Sequence, residues 1–253
     1  MLGITRADLR IFLKSEGVSW IDDPSNDDTS YDRVRVRRAT GVLADLGVTS
    51  EALARVARNM QSAREALEAT SVEAAQSMAN FRAGGVALDE EALSKLPDDI
   101  ARRIIMAAVR WITGADYAPR GRALASAMTE VRENGSATLN GCRMLRKHGQ
   151  VWVMREYERV KTQQTSADAL WDGRWRIAGA ARAGDYVAAL GPQGLPQCPD
   201  WRETGLPRAL LLSSPAIWRQ GILCAAPLAG MPNGWSVCLE KGETSFFQHL
   251  ISH

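Results

Sequence analysis

The hydrophobic period of the chain changes once, at Asn134-Gly135, and that change limits the fold more than any other feature. Before it, apolar residues recur at three- and four-residue steps. Leu53, Val56, Met60, Ala63 and Leu67 form one such series, and Ile100, Ile104, Ile105, Ala108, Val109 and Ile112 another. That spacing collects side chains on one face of a helix. After it, short extended runs at 136–145 and 150–156 flank Arg146-Lys147-His148-Gly149, which reads as a hairpin. Alanine is concentrated in the first half and Gly, Pro and Trp in the second, so helices give way to strands and turns. The pattern predicts an α+β fold in which a mainly helical region precedes a smaller α+β region.

Local signals divide the helical half. Thr5 and Asp8 make a capping box, Leu9, Phe12 and Leu13 supply one apolar face, and Gly17 ends the helix. Trp20, among apolar neighbours, reads as core filling rather than as a base-stacking platform. A second helix is expected from about Ser30 to Leu46, capped by Thr29 or Ser30. A third begins at Thr49 or Ser50 and extends as far as Phe81, broken by Gly84-Gly85. Asp89 caps a further helix, 98–112 is apolar enough to centre a small helical bundle, and 120–133 supplies one more helix. Residues 158–168 are polar and patternless, which reads as a linker. Glycine-bounded strands follow from Leu170, and 240–253 carries no usable pattern.

Composition excludes some functions. At 253 residues, 45% hydrophobic and 24% charged, the chain has the make-up of a globular protein of one large or two to three small domains. Its net charge of +2 is too small to imply nucleic acid, so any RNA contact must come from local clusters. No apolar run approaches membrane-spanning length and no signal peptide opens the chain, which makes the cytoplasm the expected compartment. Cys142, Cys198, Cys224 and Cys238 form no metal-ligand spacing with one another or with His148, His249 and His253, so no metal site is expected.

Two clusters stand out. In the first, Asp22, Asp23, Asp27 and Asp28 crowd a turn held by Pro24, Ser25 and Asn26, and Arg33, Arg35, Arg37 and Arg38 follow on a helix. Arg33 and Arg37 share a face and suit a polyanion, although pairing with the acids upstream is an equally good reading. In the second, Arg143, Arg146, Lys147 and His148 gather at the hairpin tip, where they serve either RNA or solubility.

The run Trp20-Ile21-Asp22-Asp23-Pro24-Ser25-Asn26, with Tyr31-Asp32-Arg33 and Arg37, resembles the end of the catalytic domain of bacterial tRNA(Ile)-lysidine synthases. That family has an Asp-x-Ser-Asn turn followed by Arg-Asn-x-x-Arg; here Val34 replaces the Asn, and Gly41 sits near the family's Pro-Leu-Leu. The segment from Leu2 to Gly17 resembles the preceding family segment, and 171–239 is loosely similar to the C-terminal domain. Nothing in the sequence matches the family's Ser-Gly-Gly-x-Asp-Ser phosphate loop.

The resemblance implies the C-terminal portion of such an enzyme. Residues 1–40 would be the remnant of an α/β catalytic domain, 41–157 a helical substrate-binding domain with a terminal hairpin, and 158–168 a linker. Residues 169–242 would form a tRNA-binding domain and 243–253 a tail. By the same resemblance Arg33 and Arg37 are catalytic, while Asp23, Ser25 and Asn26 hold the turn that aims them. Arg143, Arg146, Lys147, Arg208 and Arg219 would grip tRNA. ATP, Mg²⁺ and free lysine are expected to serve the full-length enzyme and not to bind this portion, and a homodimer is left open. A stand-alone RNA-binding module and a protein-interaction fragment are the competing readings.

Overall fold

The computed structural model describes residues 4–21, 28–115 and 121–251, apart from the side chains of Arg33 and Arg37. The chain divides into two compact units, Met1–Ala63 and Arg64–His253. The first holds α1 (Arg6–Ser15), α2 (Asp32–Asp45) and the beginning of α3 (Ser50–Met78). The capping box forms as the sequence predicts. Asp8 N–H donates to Thr5 Oγ1 at 3.1 Å and the Asp8 carboxylate accepts from Thr5 N–H at 2.9 Å. Those bonds hold the Asp8 carboxyl below its usual range. Gly17, at φ +68°, lets Val18 N–H reach back to Leu13 C=O at 2.9 Å and closes α1. Helix α2 starts after Tyr31 without the expected hydroxyl cap.

This first unit has almost no core of its own. Val34 is its one buried residue among those described. Phe12 is 59% exposed and Ile21 95%, and Leu9, Trp20, Val42, Leu46, Val56 and Met60 also face solvent.

In the second unit α3 buries Glu68, Ser71, Ala75 and Met78 at three- and four-residue steps, and Arg64 pairs with Glu68 at 2.8 Å. The helix stops at Met78, short of Phe81, because β1 (Ala79–Arg82) begins at once and pairs with β2 (Gly85–Asp89). Asp89 then caps α4 (Glu90–Lys95), accepting from Ala92 N–H at 2.8 Å. Next come α5 (Asp98–Thr113), α6 (Gly121–Asn134), β3 (Ser136–Leu139), β4 (Cys142–Lys147) and β5 (Gln150–Arg155). The five strands form one antiparallel sheet in the order β1-β2-β5-β4-β3.

Helix α5 packs on that sheet with α6, not in a bundle of helices. It buries Ile104, Ile105, Ala108 and Ile112 against Val86, Leu88, Met144 and Val153. The 136–145 run is two strands, not one. Asn140 (φ +46°) and Gly141 (φ +78°) make a two-residue turn with the same backbone handedness as His148-Gly149.

Beyond β5 lie α7 (Tyr157–Val160), β6 (Gln164–Thr165), β7 (Trp175–Ala178), β8 (Asp185–Ala189) and α8 (Gly191–Gly194). They are followed by α9 (Arg208–Leu212), β9 (Pro215–Arg219), β10 (Ile222–Ala225), β11 (Ser236–Leu239) and α10 (Thr244–Ile251). A four-stranded sheet runs β10-β9-β8-β6, and β7 pairs with β11. The segment 158–168, expected as a linker, is built into this assembly. Val160 is fully buried, β6 pairs with β8, and Gln163 C=O accepts from Trp171 Nε1 at 3.3 Å. Backbone pairing of a strand needs no side-chain pattern, so the polar composition concealed it.

The tail is equally structural. Phe246 and Leu250 of α10 enter the core beside α5, and Trp111 Nε1 donates to Ser245 Oγ at 3.0 Å. Phe246 meets Phe81 edge-on at 5.1 Å. Replacing Phe246 by Ala should lower stability by about 3–5 kcal/mol in urea denaturation. Ile222→Ala, at a side chain 66% exposed, should stay within about 0.5 kcal/mol. Equal effects of the two changes would show that α10 is not part of the core.

Candidate nucleic-acid interface

Alternation along β4 decides where the hairpin cations point. Cys142 and Met144 face the core beneath α5 and α6, while Leu145 packs toward the second core on the opposite face. Arg146 therefore lies on the α4–α6 side, where its Nη1 donates to Arg132 C=O at 3.2 Å and pairs with Glu90 at 3.5 Å. Arg143 and Lys147 share the Leu145 face, about 13 Å apart along the strand at ordinary strand rise. Arg143 is exposed opposite Thr138, which is also exposed, and Lys147 lies opposite Gln150. The structure thus brings Arg143 and Lys147 onto the sheet face that Leu145 shares and places Arg146 on the other.

The remaining expected contacts separate in the same way. Arg208 opens α9, exposed and with no ion pair among the described residues. Arg219 is committed to Asp185, with Nε and Nη2 at 2.8 and 2.7 Å from the same carboxylate oxygen. Arg182 N–H also donates to Asp185, and together with Arg219 it holds that carboxyl below its usual range. Arg33 and Arg37 lie one turn apart on α2, but their side chains, like Asp23, Ser25 and Asn26 of the acidic turn, lie outside the described residues. Arg35 pairs with Asp32 within the same helix.

Sequence reasoning missed the arginines that hold the fold together. Arg155 clamps Asp172 with two bonds of 2.9 Å and donates to Gly141 C=O at 3.3 Å. Arg174 donates to Gly84 C=O at 2.8 Å and lies over Trp111 at 5.3 Å and Trp175 at 6.0 Å. Its enclosure pulls its pKa down to about 10, so it stays charged at neutral pH. Arg202 lies over the Trp201 ring at 4.5 Å and remains exposed, a surface cation–π pair. An Arg next to a Trp was the available sequence signal.

Over all 253 residues the chain is 44% identical to the tRNA(Ile)-lysidine synthase of Ruegeria pomeroyi. The chain resembles tRNA(Ile)-lysidine synthases from end to end. It aligns with the C-terminal part of that relative and spans 60% of its length. The synthase of Brucella anthropi is 28% identical over 239 residues, 89% of this chain and 51% of that protein. The synthase of Anaplasma marginale is 26% identical over 186 residues, 70% of this chain and 40% of that protein. No protein-family model matches the chain. Among the described residues no helix is long and apolar enough to cross a membrane.

The thiols offer no chemistry at this face. Burial pushes the Cys142 pKa up to about 12, and it raises that of Cys198 as well. Both stay protonated near neutrality, and because the folded-state value lies above the unfolded one, the fold loses stability as pH climbs past the ordinary thiol range. At pH 8 a thiol reagent should modify exposed Cys238 and half-buried Cys224 first and leave Cys142 and Cys198 intact until denaturant is added. Mass spectrometry of the labelled peptides checks this, and early labelling of Cys142 would contradict the packing around α5.

Proposed function

We propose that this chain is the tRNA-holding C-terminal portion of a tRNA(Ile)-lysidine synthase. The observation that carries the reading is the alignment of the whole chain, at 44% identity, with the C-terminal part of a protein of that name. In the family reaction ATP adenylates the C2 oxygen of the anticodon wobble cytidine and releases pyrophosphate. The ε-amine of free lysine then attacks C2 and expels AMP. ATP, its Mg²⁺ and lysine are assigned to the part of the family sequence that this chain does not span. Arg33 and Arg37 would face that site from α2, and the Asp23-to-Asn26 turn would aim them. The work of these 253 residues is to bind and position tRNA in the cytoplasm.

Two structural features support the reading. Arg143 and Arg208 are exposed cations and Lys147 is a half-buried one, with Arg202–Trp201 as a further contact, so binding is mostly to phosphates. The apolar side chains on the surface of the first unit are those that a preceding catalytic part would cover, which favours this reading over a stand-alone RNA module.

The paired substitution Arg143→Ala with Lys147→Ala should weaken tRNA binding and flatten the log–log salt slope by roughly 0.7–0.9 per lost contact. Arg146→Ala should cost less, since Glu90 and the Arg132 carbonyl already engage that guanidinium. Filter binding across a salt series reads both effects. Normal affinity and slope in the double variant would move the surface to Arg208 and Arg202.

Alone, the chain should not incorporate labelled lysine into tRNA in the presence of ATP. Adding the N-terminal part of the Ruegeria pomeroyi synthase should slow amide exchange in α1 and α2. Sustained turnover without that part would overturn the assignment of ATP to the unspanned portion.

A further inference from the structure

A cavity of about 160 Å³ lies on the face of the four-stranded sheet that carries Tyr186, Ala188 and Trp218. The side chains that give it its chemistry are Tyr157, Lys161, Gln164, Tyr186, Gln193 and Trp218. Each of these can donate a hydrogen bond, and no carboxylate lines the cavity among the described residues. Trp218 is only 7% exposed, and its indole N–H is buried with no hydrogen-bond partner among the described residues. Leaving such a donor unpaired costs about 1–3 kcal/mol, so the position calls for an acceptor.

Two glycines set the donors in place. A Cβ at Gly191, which sits at φ +63°, would stand 3.0 Å from Tyr157 Oη. A Cβ at Gly194 would stand 2.9 Å from Trp218 Cζ2. Side chains at either position would push the phenol or the indole away from its present seat. Lys161 Nζ is 2.5 Å from Glu158, an exposed i,i+3 partner that does not line the cavity. A surface pair of this kind is worth under about 1 kcal/mol and yields readily to a better anion.

We propose that this cavity binds a phosphate group, held by Lys161 and the two tyrosine hydroxyls, with the Trp218 indole N–H, closed to solvent in this structure, turning to the anion as it binds. Phosphate matches the lining because it is anionic and presents several acceptor oxygens. The inference rests on the cavity and not on the family reading; an RNA backbone and a free phosphate ester would offer the same chemistry.

The test uses the full chain with its indole nitrogens labelled by ¹⁵N. Inorganic phosphate, titrated at constant ionic strength against chloride, should shift the Trp218 indole resonance saturably. Lys161→Ala should weaken that binding about tenfold, or ~1.4 kcal/mol. Trp218→Phe should weaken it less while leaving the thermal midpoint close to that of the parent. The same two variants then separate the sources. A parallel loss of tRNA affinity identifies an RNA phosphate, and unchanged tRNA affinity identifies a free phosphate ester. Absence of a saturable shift with both phosphate and tRNA overturns the proposal. Failure of the parent chain to bind tRNA, with the phosphate shift intact, would count against the family reading and leave the cavity's ligand standing.

Discussion

Strand β5 is buried on both faces, and the second unit depends on that. Val151 and Val153 point into the core under α5 and α6, while Trp152 and Met154 point into a second core with Leu190, Leu206, Leu210 and Trp218. Its two edges are also occupied, by β2 and β4. A strand enclosed in this way makes one wall serve two cores, so the elements after β5 must cover its far face rather than swing free. This is why 158–168 returns as α7 and β6, and why α10 can close back onto α5.

The same residue type performs two different tasks in this chain. Arg155 and Asp172 keep 17% and 4% of their side-chain surface, and removing one partner of such a pair leaves an uncompensated buried charge, a loss of about 3–5 kcal/mol. Asp172 also adopts a positive φ, a conformation that non-glycine residues seldom take, and its carboxylate receives both Arg155 bonds there. Arg174 ties the β1–β2 turn to Trp111 and Trp175. Arg143, Lys147 and Arg208 have no comparable partners among the described residues. Cations without such partners contribute little to the fold.

The two units contrast in how far they satisfy themselves. The second fills three apolar clusters, with Trp171 and Trp175 packed against Val160 and Val187. The first orders its backbone by local means, a capping box and glycine-terminated helices, yet leaves Leu9, Phe12, Trp20 and Ile21 in solvent. Local bonds define a helix, but without a buried face they supply little of the stability that packing gives. Trp20, read as core filling, is 41% exposed, with Arg10 over its ring at 5.5 Å.

Much was legible in the residues themselves. The Thr5 box, the Asp89 cap, the apolar face of α5 and the His148-Gly149 turn are short-range devices, and each formed where its residues stand. The family resemblance was also readable, because it rests on contiguous motifs. What the residues could not show is which distant segment completes which surface. The stop of α3 at Met78 reflects the pairing of β1 with β2, and the separation of Arg146 from Arg143 and Lys147 follows from the register of β4. Arg219 becomes structural only because Asp185 arrives beside it from the neighbouring strand. Turns, caps and helix faces are encoded within a few residues, whereas burial and ion pairing depend on segments far apart in the chain; the sequence therefore determined the elements and the family resemblance, and the tertiary structure alone decided which cations are paired.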